Sequence, residues 1–330
     1  LLMDILENVA VRLSLVVVST VTVALAQENS STDTDILFEN IRKPNGKIGM
    51  DEKKNDVPLA QYIKGFTDFY IQDAFAVSHR KHTSVAALPE LFDTDHKVAG
   101  FQLDKEVQSL LSAVVPQKPF VTILSGAKFS TKLPLIEKYI VSADLVLVGG
   151  ALFNNVLKSL GHEVGMSLID AEATYVDALV QQDNFSLKVY IPKFVIVKDM
   201  QTGVIRECEI TAVQKHESIM DIAPQSVQDF VRKIATLDAK TILWNGPIGN
   251  FEVKEFAQGT ELLATDLMQY MKTAVLQDVR LIIGGGDTVS ALKNIEGLSN
   301  DPNIFLSTGG GAMLEFLEKE GQLPGIMSLV

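Results

Sequence analysis

At 330 residues the chain exceeds the roughly 250–300 at which a single hydrophobic core stops growing, so two domains are expected. A net charge of −12 argues against non-specific nucleic-acid binding but leaves room for an anionic ligand held by a local group of cations. Cys208 is the only cysteine, which excludes an intrachain disulfide and a cysteine-rich zinc site and fits a reducing, cytoplasmic setting.

Residues 2–13 carry apolar side chains at helical spacing (Leu2, Ile5, Leu6, Val9, Leu13). Leu15 to Val23 then reads as a buried strand or pair of strands. Leu13–Ala26 resembles the apolar region of a secretory leader, but the flank before it carries Asp4 and Glu7 against Arg12, and its β-branched residues favour strand. Asp35–Asn40 is a further strand, ending in a turn with Arg42 and Lys43. A helix at about 58–66 leads to a strand at Asp68–Ile71, which runs into Asp73-Ala74-Phe75 and then His79-Arg80-Lys81-His82. Glu39 and Asp73 read as structural partners of the neighbouring cations. His79 and His82 lack an evident third ligand, so zinc is not expected.

Val98 to Val115 shows a helical apolar stripe stopped by Pro116, and it separates two strand–helix series. The second series has strands at Phe120–Leu124, Leu145–Val148, Val189–Val197 (interrupted by Pro192), Thr241–Trp244, Leu281–Ile283 and Ile304–Leu306. Strand alternating with helix implies parallel sheets. The last three strands each run into glycine: Asn245-Gly246-Pro247, Gly284-Gly285-Gly286-Asp287-Thr288 and Thr308-Gly309-Gly310-Gly311. Ligands bind at the carboxyl ends of strands in such sheets, and glycine admits a phosphate to bare backbone N–H groups. Together the turns outline a polyphosphate site. No GxxxxGK[ST] is present, and neither glycine run completes GxGxxG, because Val289 and Leu314 occupy the final position. Asp287 could serve that site or simply cap a helix. Lys128 and Lys132 share a helix face and could be surface charges or ligands.

Taken in order, Leu37–Arg42, Asp73–Phe75 with His79–Ser84, Ile123–Lys128 with Lys132, Val148–Leu152, Trp244–Glu252, Gly284–Thr288 and Ser307–Ala312 closely resemble phosphoglycerate kinase, across nearly the whole chain. The resemblance implies an α/β fold of two parallel-sheet Rossmann-like domains. Residues 1–97 would form a 3-phosphoglycerate-binding domain, 98–117 an interdomain helix, 118–312 the nucleotide-binding domain, and 313–330 a segment returning to the first domain.

The implied function is that of a kinase of glycolysis and gluconeogenesis. It transfers a phosphoryl group reversibly between ATP and the carboxylate of 3-phospho-D-glycerate, giving 1,3-bisphosphoglycerate and ADP, with Mg²⁺, across a hinge-bending cleft. Arg42 and Arg80 match the arginines on the substrate phosphate; Lys132, Glu252 and Gly284, Gly285, Gly286 match nucleotide-binding positions, and Asp287 and Thr288 the nucleotide–Mg²⁺ turn. Lys128 and the amides of Gly309, Gly310 and Gly311 match groups that stabilise the phosphoryl group in flight. A cytoplasmic protein, monomeric when complete, with no nucleic-acid or membrane partner is implied.

Ala76, Ser125, Asn250 and Ile191-Pro192-Lys193-Phe194 depart from the family pattern without removing a phosphate-handling residue. The family's opening segment, with its DFNxP- and HxGRP-type motifs, is not found, so the first domain is expected to be incomplete. An open sheet edge near Leu15–Val23 and weak turnover are expected to follow. The competing readings are a non-catalytic nucleotide-binding remnant and, if residues 1–26 are a leader, a secreted binding protein.

Overall fold

The computed structural model describes residues 14–18, 23–27, 36–38, 52–65, 67–127, 132–170, 175–274 and 279–330. The helix expected over 2–13, Glu39, Arg42 and Lys128 lie outside the described residues. The chain forms two compact units, Leu1–Leu111 with Gly311–Val330, and Ser112–Gly310.

In the first unit, β1 (Ser14–Val18), β2 (Val23–Gln27), β3 (Ile36–Phe38), β4 (Phe69–Gln72) and β5 (Lys97–Ala99) form one sheet in the order β3-β2-β1-β4-β5. β1 pairs parallel with β4, and β4 with β5, whereas β1–β2 and β2–β3 are antiparallel. The sheet is therefore mixed, for a simple reason: only residues 19–22 join β1 to β2, too few for the crossover that a parallel pair requires. β1 lies between β2 and β4, so the open edge expected near Leu15–Val23 is not at β1; the edge strands are β3 and β5.

Helix α1 (Val57–Lys64) starts where Asp56 accepts the Leu59 N–H at 3.3 Å, with proline in its first turn. It buries Leu59, Ala60 and Ile63 in a cluster with Tyr70, Leu88 and Phe92. Helix α2 (Phe101–Val114) begins later than the apolar stripe suggests, because Val98 pairs with Ile71 as part of β5. Asp73 Oδ1 accepts the Leu103 N–H at 2.9 Å, so the contact that Asp73 makes is a cap on α2 in place of the expected cation pair.

The second unit holds a six-stranded, wholly parallel sheet of β6 (Phe120–Ser125), β7 (Leu145–Gly149), β8 (Val189–Tyr190), β12 (Thr241–Asn245), β13 (Arg280–Gly284) and β14 (Ile304–Ser307). Every residue of β6, β7 and β12 is buried, as a parallel sheet covered on both faces demands. Helices α3 (Leu133–Ser142), α4 (Gly150–Ser159), α5 (Val176–Val180), α6 (Asp183–Lys188), α7 (Pro224–Leu237) and α8 (Gln258–Thr273) belong to this unit, with α9 (Gly286–Ala291) after β13. Phe230 and Ile234 of α7 and Leu263 and Leu267 of α8 join Ile242 and Trp244 in the main core. Side chains of this kind each contribute about 1.5–3 kcal/mol when fully buried.

The expected strand over Val189–Val197 is in fact two, in different sheets. Pro192, which has no N–H to give a ladder, falls in the break. β9 (Phe194–Asp199) is the centre of an antiparallel sheet with β10 (Ile205–Glu209) and β11 (Glu217–Ile222), and this sheet was not anticipated from the sequence. It has its own small core, in which Val195, Val197 and Cys208 pack against Phe153 and Leu157 of α4. After β14 come α10 (Gly310–Glu318) and α11 (Pro324–Met327). Phe316 meets Phe75 edge-on at 6.0 Å, and the Gly325 N–H donates to Ser78 O at 2.9 Å.

Candidate functional site

From β6 the parallel sheet grows to β7 and β8 on one side and, later in the chain, to β12, β13 and β14 on the other. Such a reversal opens a crevice at the carboxyl ends of the two strands that flank it. Here those ends are Ser125-Gly126-Ala127 and Asn245-Gly246-Pro247.

Lys132 spans the two ends from the start of α3. Its Nζ donates to the Ser125 carbonyl, to Asn245 Oδ1 and, at 3.3 Å, to the Asn245 carbonyl, which uses all three ammonium donors. Burial lowers its pKa to about 8, against the opposing pull of Asp287. Asn245 Nδ2 donates onward to Gly284 O at 3.0 Å. The Thr288 hydroxyl, fully buried, donates to Gly284 O and accepts the Gly246 N–H, both at 2.8 Å. At Gly246, with φ +100°, a Cβ would stand 2.0 Å from Ser125 O, so the turn admits only glycine. Buried hydrogen bonds thus lock the ends of β6, β12 and β13 together.

The same turns open onto a cleft of about 540 Å³ within the second unit, of the size that takes a small molecule. It is lined by Gly126, Ala127 and the first turns of α4 (Gly150, Ala151, Asn154) and by β11 (Ser218–Ile222) and the loop Pro247–Glu252, with Phe153, Met166, Leu168, Met200 and Asp287 completing the lining. Asp221 is 2% exposed, and its two oxygens accept the N–H groups of Ile222 and Gly259, each at 2.8 Å. Burial raises its pKa to about 7 in spite of those bonds. A bulge in β11 between Ile219 and Asp221 shifts the register at this wall, and the Met220 carbonyl accepts the Asn250 N–H at 2.8 Å.

Of the residues singled out in the sequence, Glu252 and Asp287 line the cleft, while Lys132, Gly284, Gly285, Gly286 and Thr288 form the turns beside it. Asp287 is not a cap: the cap position of α9 is Gly285, at φ +98°, and no side chain caps that helix. The Gly309 N–H donates to Ser307 Oγ at 3.4 Å and that of Gly310 to Thr308 O at 3.0 Å. Gly311 lies in the first turn of α10, where N–H groups have no intrahelical acceptor. Arg80, exposed in the first unit, donates from Nε to His79 Nε2 at 3.3 Å, and burial together with this guanidinium lowers the His79 pKa. Sequence reasoning passed over Asn154, Met166, Leu168 and Asp221. Only Asp221 left a signal, as a carboxylate inside the apolar run Ile219–Ile222.

Glycine turns, a carboxylate and a small-molecule cleft at the switch point of a parallel sheet define a nucleotide-binding α/β protein. The phosphoglycerate kinase family matches this chain over residues 2–320. The chain is 38% identical over 299 residues to a phosphoglycerate kinase of Nitratiruptor sp., covering 89% of this chain and 71% of the relative. It is 35% identical over 304 residues to that of Sulfurimonas denitrificans, with the same coverage of 89% and 71%. The solved structure of phosphoglycerate kinase from Coxiella burnetii superimposes with a TM-score of 0.71 at 35% identity, over 84% of this chain and 69% of that one. The chain belongs to the phosphoglycerate kinase family. It is accordingly a kinase, and its reaction is the family's reversible phosphoryl transfer between ATP and 3-phosphoglycerate in glycolysis. Among the described residues no helix is long and apolar enough to cross a membrane.

Proposed function

We propose that residues 118–312 hold ATP or ADP with Mg²⁺, that residues 1–97 hold 3-phosphoglycerate through Arg42 and Arg80, and that the acceptor is the substrate's carboxylate. The observation that carries this reading is the switch-point cleft, with Glu252 and Asp287 both in its lining. The nucleoside lies between the apolar walls, the ribose at Glu252 and the phosphates at the glycine turns.

A carboxylate acceptor is already ionised at neutral pH, with a reference pKa of about 4 for side-chain acids, so no general base is needed. Catalysis reduces to placing two anions in line and neutralising charge on the moving phosphoryl group. Lys128 and the amides from Gly309 to Gly311 take the second task. Gly311 is the one of those three glycines whose N–H has no acceptor within the turn or helix. The arginine side chains offer paired N–H donors to a phosphate.

The donor set suits Mg²⁺, a hard cation that takes one or two carboxylates together with substrate phosphates. Among the described residues no cluster of three acidic, histidine or cysteine side chains could hold a metal alone, so Asp287 and the nucleotide's own oxygens would share the ion. The ion would neutralise phosphate charge. Thr288, whose hydroxyl already makes two hydrogen bonds, fixes the turn that presents Asp287. Lys132 serves the nucleotide in the same way, by joining the turns after β6 and β12. When complete, the protein acts in the cytoplasm as a monomer, without nucleic-acid or membrane partners.

Calorimetry of ADP binding with and without Mg²⁺ tests the site. Asp287→Ala should weaken the Mg²⁺ form more than free ADP; equal losses in the two titrations would remove Asp287 from the metal side.

A further inference from the structure

Met166 and Met200 are unusually open for apolar residues, at 59% and 47% exposure, and both line the cleft together with the half-buried Met220. Backbone hydrogen bonds gather the three around one strand. The Met166 N–H donates to Glu217 O at 2.7 Å and the Met200 N–H to His216 O at 2.9 Å, while Met220 lies on β11 itself. Leu168, also exposed, joins them in the lining. A single exposed apolar side chain needs no explanation, but a group of them in one cleft makes a patch that a bound ligand covers.

Three thioethers give that patch a chemistry that aliphatic side chains lack. Peroxides oxidise an exposed methionine to its sulfoxide, which is polar where the thioether is apolar. Other sulfur atoms are less open to this reaction. Met268 and Met313 are buried, and Cys208 is buried with its pKa raised by that burial, which keeps it from the reactive thiolate form.

We propose that Met166, Met200 and Met220 form an oxidation site in the cleft, where a hydroperoxide acts on the nucleotide-free protein and the resulting sulfoxides weaken nucleotide binding. This rests on the nucleotide reading of the cleft given above. In the step, a sulfur lone pair attacks one peroxide oxygen and the O–O bond breaks. Sulfur gives up two electrons and keeps that oxygen as S=O; the other oxygen is reduced and leaves with the proton, as water when the oxidant is hydrogen peroxide. A sulfoxide covered by the nucleotide loses its water without gaining a partner, a cost the thioether does not incur. Occupation and oxidation therefore oppose each other.

The test treats the chain with hydrogen peroxide, with and without saturating ADP, and follows each methionine by peptide mass spectrometry. Met327, 53% exposed in the other unit, is the internal standard. Bound ADP should slow oxidation of Met166 and Met200 by about fivefold or more and leave Met327 unaffected. Calorimetry of the oxidised chain should show ADP bound about fivefold or more weakly than before treatment. In the variant Met166→Leu/Met200→Leu/Met220→Leu, which keeps the side-chain volume without the sulfur, the same treatment should leave the variant's own affinity for ADP unchanged. Should that variant not fold, methionine sulfoxide reductases acting on the oxidised wild type should restore its affinity. Equal oxidation rates of Met166 and Met200 with and without bound ADP overturn this inference alone, as does an affinity that oxidation leaves unchanged or that the leucine variant loses as the wild type does. Failure of ADP to bind the untreated wild type overturns the nucleotide reading, and the inference with it.

Discussion

Thr288→Val is a nearly isosteric change that removes one hydroxyl from a fully buried site and leaves no cavity. The hydroxyl has two partners, and they fare differently. Gly284 O keeps the Asn245 Nδ2 donor at 3.0 Å, whereas the Gly246 N–H loses the acceptor that the structure gives it, at 2.8 Å. A buried donor left unsatisfied costs about 1–3 kcal/mol, and the lost hydrogen bond itself nets about 0.5–1.5. A loss of about 2–3 kcal/mol is therefore expected.

The single tryptophan, Trp244, is fully buried two residues before Gly246 and donates from its indole to Gly246 O at 2.7 Å, so its fluorescence reports this turn. With a urea dependence of about 3 kcal/mol per molar, the fluorescence midpoint should fall by about 0.7–1 M. Thr288→Ser keeps the hydroxyl and should recover most of the loss. A midpoint for Thr288→Val within about 0.2 M of wild type would refute the view that this hydroxyl locks the strand ends, because the shift expected from an orphaned N–H is several times larger.

Lys132 has its pKa lowered from 10.5 to about 8, so between those values the folded chain binds fewer protons than the unfolded one, and its contribution to stability rises with pH. The stability difference between wild type and Lys132→Met should accordingly grow in favour of wild type from about pH 8 to about pH 10, and a difference flat with pH would contradict the burial. For Asp221, raised from 3.8 to about 7, the sign is opposite: the folded chain holds the extra proton, and stability is lost as pH rises through that interval. Urea midpoints of Asp221→Asn should lack this decline, and an unchanged pH profile would count against it. Asp73→Ala should cost about 1 kcal/mol through loss of the cap on α2, read from thermal unfolding, and no change would show that the Leu103 contact is idle. Lys128→Ala should lower kcat by roughly 10²–10³ with little change in KM for ATP, as expected for a charge that acts in the transition state. A raised KM at constant kcat would make Lys128 a ground-state ligand.

How much of this the sequence disclosed depended on the kind of burial. Strands β6, β7, β12 and β13 are covered on both faces, so they appear as apolar runs that stop at glycine, and their positions and the site at their ends were legible. β9–β11 were not. β10 is mostly exposed, and β11 opens with Glu217, which is buried with its carboxylate paired to Arg206 at 2.6 Å and bonded to the Gln214 N–H, partners that no local pattern reveals. The antiparallel turn of β1 into β2 was hidden for a different reason, because strand–helix alternation was read as wholly parallel where the link is in fact very short. At the site, the sequence could name Lys132 and Thr288 but not their hydrogen-bond partners, which sit on strands far away in the chain.

A crystal structure of the chain with Mg²⁺ and ADP tests most directly whether the switch-point cleft holds the nucleotide. The adenine is expected between Gly150–Asn154 of α4 and Met220–Ile222 of β11, with the ribose at Glu252 and the phosphates running toward Asp287 and the glycine turn before it. Electron density for ADP anywhere other than this cleft, with the cleft itself filled by solvent, would contradict it.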